Sequence, residues 1–172
     1  MRRYSTSAAV LLVALATCGA ATAASRRSLD LGTARVDGHV VLGRTLADVT
    51  ASLGRPTWRV PGTRVYRIGY GDRKNFELMV MFRKQGGVLR AWSIAFERPP
   101  LVEPLLAEDV LALSPSAFAR DVMRQYGAFT VTAAPKCRRG RCAVTLRAGH
   151  SPRYVTFGRT PALGSYLTMW II

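Results

Sequence analysis

The sequence predicts an α+β chain of two tandem units, each a short amphipathic helix followed by an antiparallel meander. Three observations carry this expectation. A capped helical segment runs from Thr45 to Gly54, alternating apolar positions fill 65–96, and a second capped helix from Ser114 to Gly127 again precedes alternating segments.

The chain opens with Met1-Arg2-Arg3, an apolar run from Ala8 to Ala16 and the small-residue stretch Ala21-Thr22-Ala23. This charge, core and A-x-A order predicts a Sec-type signal peptide over 1–23, and so a secreted, periplasmic or cell-envelope protein. The apolar core falls short of the roughly 20 residues a membrane span needs, and no later stretch of that length lacks charge. Leu15-Ala16-Thr17-Cys18 has the outline of a lipobox, which would place a lipid anchor at Cys18, but Thr17 is a poor residue before that cysteine. Arg2-Arg3 begins like a twin-arginine signal, and Tyr4-Ser5-Thr6 does not continue it.

Residues 24–39 are polar and lack periodicity, so a flexible lead-in is expected there. The first unit is expected over 40–98. Thr45 can cap a helix, Asp48 stands at the capping-box position, and Leu46, Val49 and Leu53 share a face before Gly54 and Pro56 end it. The meander follows, with Tyr66, Ile68 and Tyr70 on one side of the first strand. Phe76, Leu78, Val80 and Phe82 share a side of the second, and Trp92, Ile94 and Phe96 of the third. Pro61-Gly62 and Gln85-Gly86-Gly87 supply turns.

A Pro-rich linker is expected over 99–112, with a short helix around Leu105 to Leu111, and the second unit over 113–172. Ser114 caps, Pro115 takes the first helical position, Phe118, Val122 and Tyr126 line one face, and Gly127 closes the helix. Asp48-Val49 matches Asp121-Val122 and Leu53-Gly54 matches Tyr126-Gly127, which suggests a repeat. Strands are expected at Phe129–Ala133, Cys142–Arg147, Arg153–Phe157 and Ser165–Ile171.

The segment Leu42-Gly43-Arg44-Thr45-Leu46-Ala47-Asp48-Val49, then Leu53-Gly54-Arg55-Pro56 and an aromatic-rich meander, resembles the BamE/SmpA family and the related β-lactamase inhibitory protein (the BLIP-like fold). The resemblance covers about 41–97, with a degenerate second copy over 113–172. Likeness to BamE implies a lipoprotein accessory of outer-membrane barrel assembly. Likeness to the inhibitory protein implies tandem units presenting a concave sheet to a target enzyme.

The 172 residues carry a formal charge of +15, nearly all of it from arginine; Lys74, Lys84 and Lys136 are the only lysines. Two readings stay open: GC-rich codons, or selection for an acidic partner. The arginines are scattered apart from Lys136-Arg138-Arg139-Arg141, and no nucleic-acid motif is present. In an oxidising compartment Cys137 and Cys142 form an even pair, and their flanks have strand character. A disulfide stapling a hairpin is expected, contributing about 2 kcal/mol on the chain-entropy model. A metal site on Cys137, Cys142 and His150 lacks a fourth ligand.

Catalytic signatures are missing. His39 and His150 are the only histidines, and no nucleophile elbow, zinc-protease helix, phosphate loop or dinucleotide fingerprint occurs. No cofactor is implied. The carboxylates of Glu108, Asp109 and Asp121 stand near expected helix starts, where they complement the helix dipole.

A helix covers only one side of a meander, and alternation puts Arg67, Glu77, Met79, Met81 and Arg83 on the other, with Arg147 as a second-unit counterpart. Adaptable Met and Arg side chains suit an interface. The expectation is therefore a non-enzymatic binding protein that uses an exposed sheet face to hold a protein or an anionic envelope polymer. Its rivals are a secreted enzyme of unrecognised class and a structural envelope protein without a specific partner.

Overall fold

The computed structural model describes residues 26–98, 100–103, 110–161 and 164–172. The expected leader, with Cys18, lies outside them. So do Pro99, Pro104 and the greater part of the short helix expected around Leu105 to Leu111.

Two helices occur among the described residues, and their ends follow from local chemistry. Helix α1 spans Leu46–Leu53 and begins with a complete capping box: Asp48 N donates to Thr45 Oγ1 at 3.2 Å and Thr45 N to Asp48 Oδ2 at 3.2 Å. Helix α2 spans Pro115–Tyr126. Ala117 N donates to Ser114 Oγ at 3.2 Å, and Gly127 closes the far end at φ 64°, its N–H bonded to Met123 O.

The strands are β1 (Ser28–Asp30), β2 (Arg35–Val36), β3 (His39–Val40), β4 (Trp58–Val60), β5 (Tyr66–Asp72), β6 (Asn75–Gln85), β7 (Val88–Phe96), β8 (Leu101–Glu103), β9 (Phe129–Arg138), β10 (Arg141–Ala148), β11 (Arg153–Thr160) and β12 (Gly164–Ile171). Eight form one antiparallel sheet in the order β4-β5-β6-β7-β12-β11-β10-β9, and four short ones form a second sheet, β3-β2-β1-β8.

This arrangement overturns the expected α+β fold of two tandem helix-plus-meander units. The protein is mostly β, and β7 and β12 pair directly, Phe96 opposite Leu167 and Ile94 opposite Met169, so the strands of both halves join in one sheet. Alternation within each segment is the same whether two meanders stand apart or share an edge, and this pairing was invisible to it.

Two further expectations need correction. Residues 24–39 were expected to be a flexible lead-in, yet 28–40 supply three strands, and Leu29, Leu31 and Val36 are almost wholly buried. Strands of two or three residues are too short to show a period. The stretch 99–112, expected as a linker, contributes β8, which pairs in parallel with β1, and a 3₁₀ turn at Val110–Ala112 with Val110 and Leu111 buried.

One core results. Val49 and Leu53 of α1, Phe118 and Val122 of α2, and Leu29, Val36 and Val102 of the small sheet pack against Ile68, Leu78, Val80, Phe82, Ile94, Phe96, Leu146, Phe157 and Leu167 of the large one. Phe118 stacks on Phe157 at 4.6 Å. Helices and small sheet thus contribute to a cluster on one side of the large sheet.

Candidate functional site

Directly opposed residues in neighbouring strands share a face, so the strand register maps the other side of the large sheet. One row runs Arg67, Met81, Ser93, Trp170, Tyr154, Arg147, Thr130, crossing β5, β6, β7, β12, β11, β10 and β9. The adjacent row runs Trp58, Gly69, Met79, Ala95, Thr168, Thr156, Thr145. Arg67, Met79, Met81 and Arg147 of the expected set therefore stand on one continuous face.

Two bulges add aromatic groups to it. Between the pairs Tyr70↔Leu78 and Gly71↔Phe76, Glu77 is the extra residue on β6. Gly71 is adjacent to core-facing Tyr70 and so faces the other way, and Phe76, which pairs with Gly71 across the bulge, lies away from Leu78 and the core. It meets Trp58 edge-on at 6.2 Å. Between Phe82↔Ala91 and Met81↔Ser93, Trp92 is the extra residue on β7, and Arg83 sits over its ring at 5.9 Å. The expectation that Phe76 continues the side of Leu78, and Trp92 that of Ile94, is corrected at both places.

All three tryptophans of the chain, Trp58, Trp92 and Trp170, consequently gather on this face. Trp170 stacks on Tyr154 at 4.4 Å and 12°, and its Nε1 donates to Thr156 Oγ1 at 3.3 Å. Thr156 Oγ1 in turn shares a hydrogen bond with Thr145 Oγ1 at 3.1 Å. Small residues lie between the large ones: a Cβ on Gly69 would stand 1.9 Å from Trp58 Cζ2, so the indole lies directly over the glycine. Ser93 is 1% exposed at the centre of the long row. The indole N–H groups of Trp58 and Trp92 are buried with no acceptor among the described residues.

The charged members of the expected set differ in freedom. Glu77 pairs with Arg98 at 3.4 Å. Arg147 donates from Nε to Ser151 O at 3.2 Å and from Nη2 to His150 O at 3.4 Å, so it braces the β10–β11 turn. Arg67 is exposed. Sequence reasoning missed Trp58, Phe76, Trp92, Tyr154 and Trp170; the abundance of tryptophan near strand signals was visible, but the bulges that aim Phe76 and Trp92 were not.

Cys137 and Cys142 form the expected disulfide, facing each other across β9 and β10 with Cα atoms 4.1 Å apart. His150 is exposed in the turn before β11. Among the described residues no group of three or more His, Cys, Asp or Glu side chains could hold a metal. No described helix is long and apolar enough to cross a membrane. A surface depression brings His39, Asp48 and Ser52 near one another. There the Asp48 carboxylate already accepts the Thr45 N–H, and hydrogen bonding by Thr45 holds its carboxyl below the usual 3.8. No hydrogen bond among the described residues joins His39 to Asp48 or Ser52, so a nucleophile and base are not assembled.

No protein-family model and no curated protein matches the chain. Among solved structures it is similar to the crystal structure of a DUF4309 family protein (YjgB) from Bacillus subtilis, with a TM-score of 0.46, 15% identity, 82% of this chain covered and 88% of the other. The resemblance to the BamE/SmpA family and the inhibitory protein rests on the helix motif and the aromatic-rich meander after it.

Proposed function

We propose that the chain is an exported, non-enzymatic binding protein that holds a partner protein on the outward face of its eight-stranded sheet. The observation that supports this most is the gathering of all three tryptophans, with Tyr154, Met79 and Met81, on the side away from the core. Tryptophan, tyrosine, methionine and arginine are the residue types enriched where proteins meet. A sheet face with no partner has no physical need to aim indoles outward, because polar side chains would satisfy that surface at less cost. Export rests on the leader sequence and on the disulfide, which persists in oxidising compartments.

The test is site-specific photocrosslinking in the native host. A crosslinking residue at Met81 or Trp170 is expected to give a discrete protein adduct, and one at exposed Met123 on α2 to give none. Equal yields from both sides of the molecule, or no adduct from the sheet face, would overturn the reading.

A further inference from the structure

We propose that the outer end of the β9–β10 hairpin is a second binding site, specific for a linear anion bearing consecutive phosphate groups. Its cations are not among the residues of the aromatic cluster, although Tyr166 shares the outward side of the sheet with Trp170, and it does not depend on that cluster having a partner. Lys136, Arg138, Arg139, Arg141 and Arg159 line an open groove of about 930 Å³, completed by Tyr166. Asp121 is the last acidic residue of the chain, and eight lysines and arginines follow it. Among the described residues none of the five groove cations has a carboxylate partner.

Two local features work against the stability of this hairpin and in favour of a ligand, and a covalent clamp holds it together against them. Arg138 and Arg141 are directly opposed, a like-charge pair that repels. Between them Arg139 has φ 52° and Gly140 φ 75°, the backbone of a turn that favours Asn-Gly; arginine at the first position is a poor choice for the turn alone. The Cys137–Cys142 bridge clamps both strands one residue further in, holding the cations together despite their repulsion. Gly140 also packs close to Pro161 of the β11–β12 turn, which steadies the tip.

Phosphate is the anion that fits best, because four of the five cations are guanidinium forks, which grip tetrahedral oxyanions bidentately. The groove is far larger than one phosphate, so a chain of phosphates occupies it. A membrane surface fits less well. Anchoring on lipid combines cations with an apolar side chain that inserts, and among the described residues the exposed large hydrophobic ones, Val88, Leu101, Met123 and Val131 of the inner part of β9 included, stand away from the hairpin tip.

The experiment is a titration of the purified mature chain with inorganic polyphosphate, using phosphatidylglycerol vesicles and polyglutamate at matched anion concentration and ionic strength. Polyphosphate is expected to bind, and the other two to bind at least tenfold more weakly. Arg139→Asn places a residue suited to the turn, so the melting temperature should hold or rise while polyphosphate affinity falls roughly tenfold. Arg138→Ser with Arg139→Asn and Arg141→Ser should weaken binding at least a hundredfold and flatten what salt dependence remains. Trp170→Ala should leave polyphosphate affinity unchanged, which separates this site from the aromatic face. Equal binding of vesicles would replace the polymer by a membrane, equal binding of polyglutamate would show that bare charge decides, and unaltered affinity in the triple variant would place the contacts elsewhere. Each of these overturns the proposal.

Discussion

Tyr154 and Trp170 lie face to face across β11 and β12, their ring centroids 4.4 Å apart, on the side of the sheet turned away from the core. A half-buried stack of this kind contributes about 1 kcal/mol beyond the area it buries. Its position between Ser93 and Arg147 makes it the middle of the outward row. Replacing Trp170 with alanine also frees Thr156 Oγ1 from the indole N–H. The expected result is a stability loss of about 2 kcal/mol by denaturant unfolding, with the fold retained by circular dichroism. The sheet-face crosslinks at Met81 should vanish in the same variant.

Two carboxyls, Asp30 and Glu97, affect acid stability with opposite signs. Burial acts to raise Asp30, but the Thr33 hydroxyl at 2.5 Å, the Thr33 and Gly32 N–H groups and the Arg35 charge outweigh it and hold the carboxyl below 3.8. The Asp30 contribution is therefore complete above about pH 4 and is lost as pH falls through the lowered folded value. Glu97 behaves in reverse: burial raises its carboxyl above 4.5, only partly opposed by hydrogen bonding at Phe76, so its neutral form favours folding below that pH and the benefit fades as pH rises. In thermal melts from pH 6 to pH 2, Asp30→Asn should flatten the acid loss. Glu97→Gln should instead raise the melting temperature at neutral pH. Parallel curves for both variants and the wild type would show that neither group is linked to folding.

The contrast between α1 and β7 shows what the sequence made legible. Thr45, Asp48 and Gly54 act on backbone groups within a few residues of themselves, so both ends of α1 could be read from the chain. The same holds for Ser114, Pro115 and Gly127 of α2. Strand β7 was recognisable as a strand, yet the direction of Trp92 depends on a bulge set by its pairing with β6. The partner of its other edge, β12, stands far along the sequence, and nothing near Phe96 announces Leu167. Short strands fared worst: Leu29 and Val36 are buried only because β8 and the large sheet come to them from elsewhere. On the candidate face, alternation was sufficient for Met79 and Met81. The tryptophans went unassigned because two of their positions hinge on contacts across strands, Trp58 with Gly69 and Trp92 with Arg83.

Phe118 and Phe157 are both fully buried and stacked at 16°, joining α2 to the large sheet at one point of the core. Phe118→Ala leaves a cavity that neither the helix nor β11 can collapse to fill. The expected loss is about 3–5 kcal/mol, read as a lowered denaturant midpoint with an unchanged slope. Phe118→Leu, which keeps most of the volume, should recover the greater part of it.

Gly69 offers a test of the geometry of the aromatic face itself. Its backbone is ordinary for a strand, so alanine there meets no conformational penalty, and the nearest obstacle is the Trp58 ring at 1.9 Å from the new Cβ. The indole must swing away, giving up its contact with Phe76. Gly69→Ala should therefore cost about 1–3 kcal/mol and shift tryptophan emission to the red as Trp58 gains water. In the background Trp58→Ala the same change at Gly69 has no indole to displace, and most of its cost should disappear. A double-mutant cycle measures that coupling directly, and an additive result would mean that Trp58 does not lie over Gly69 in solution.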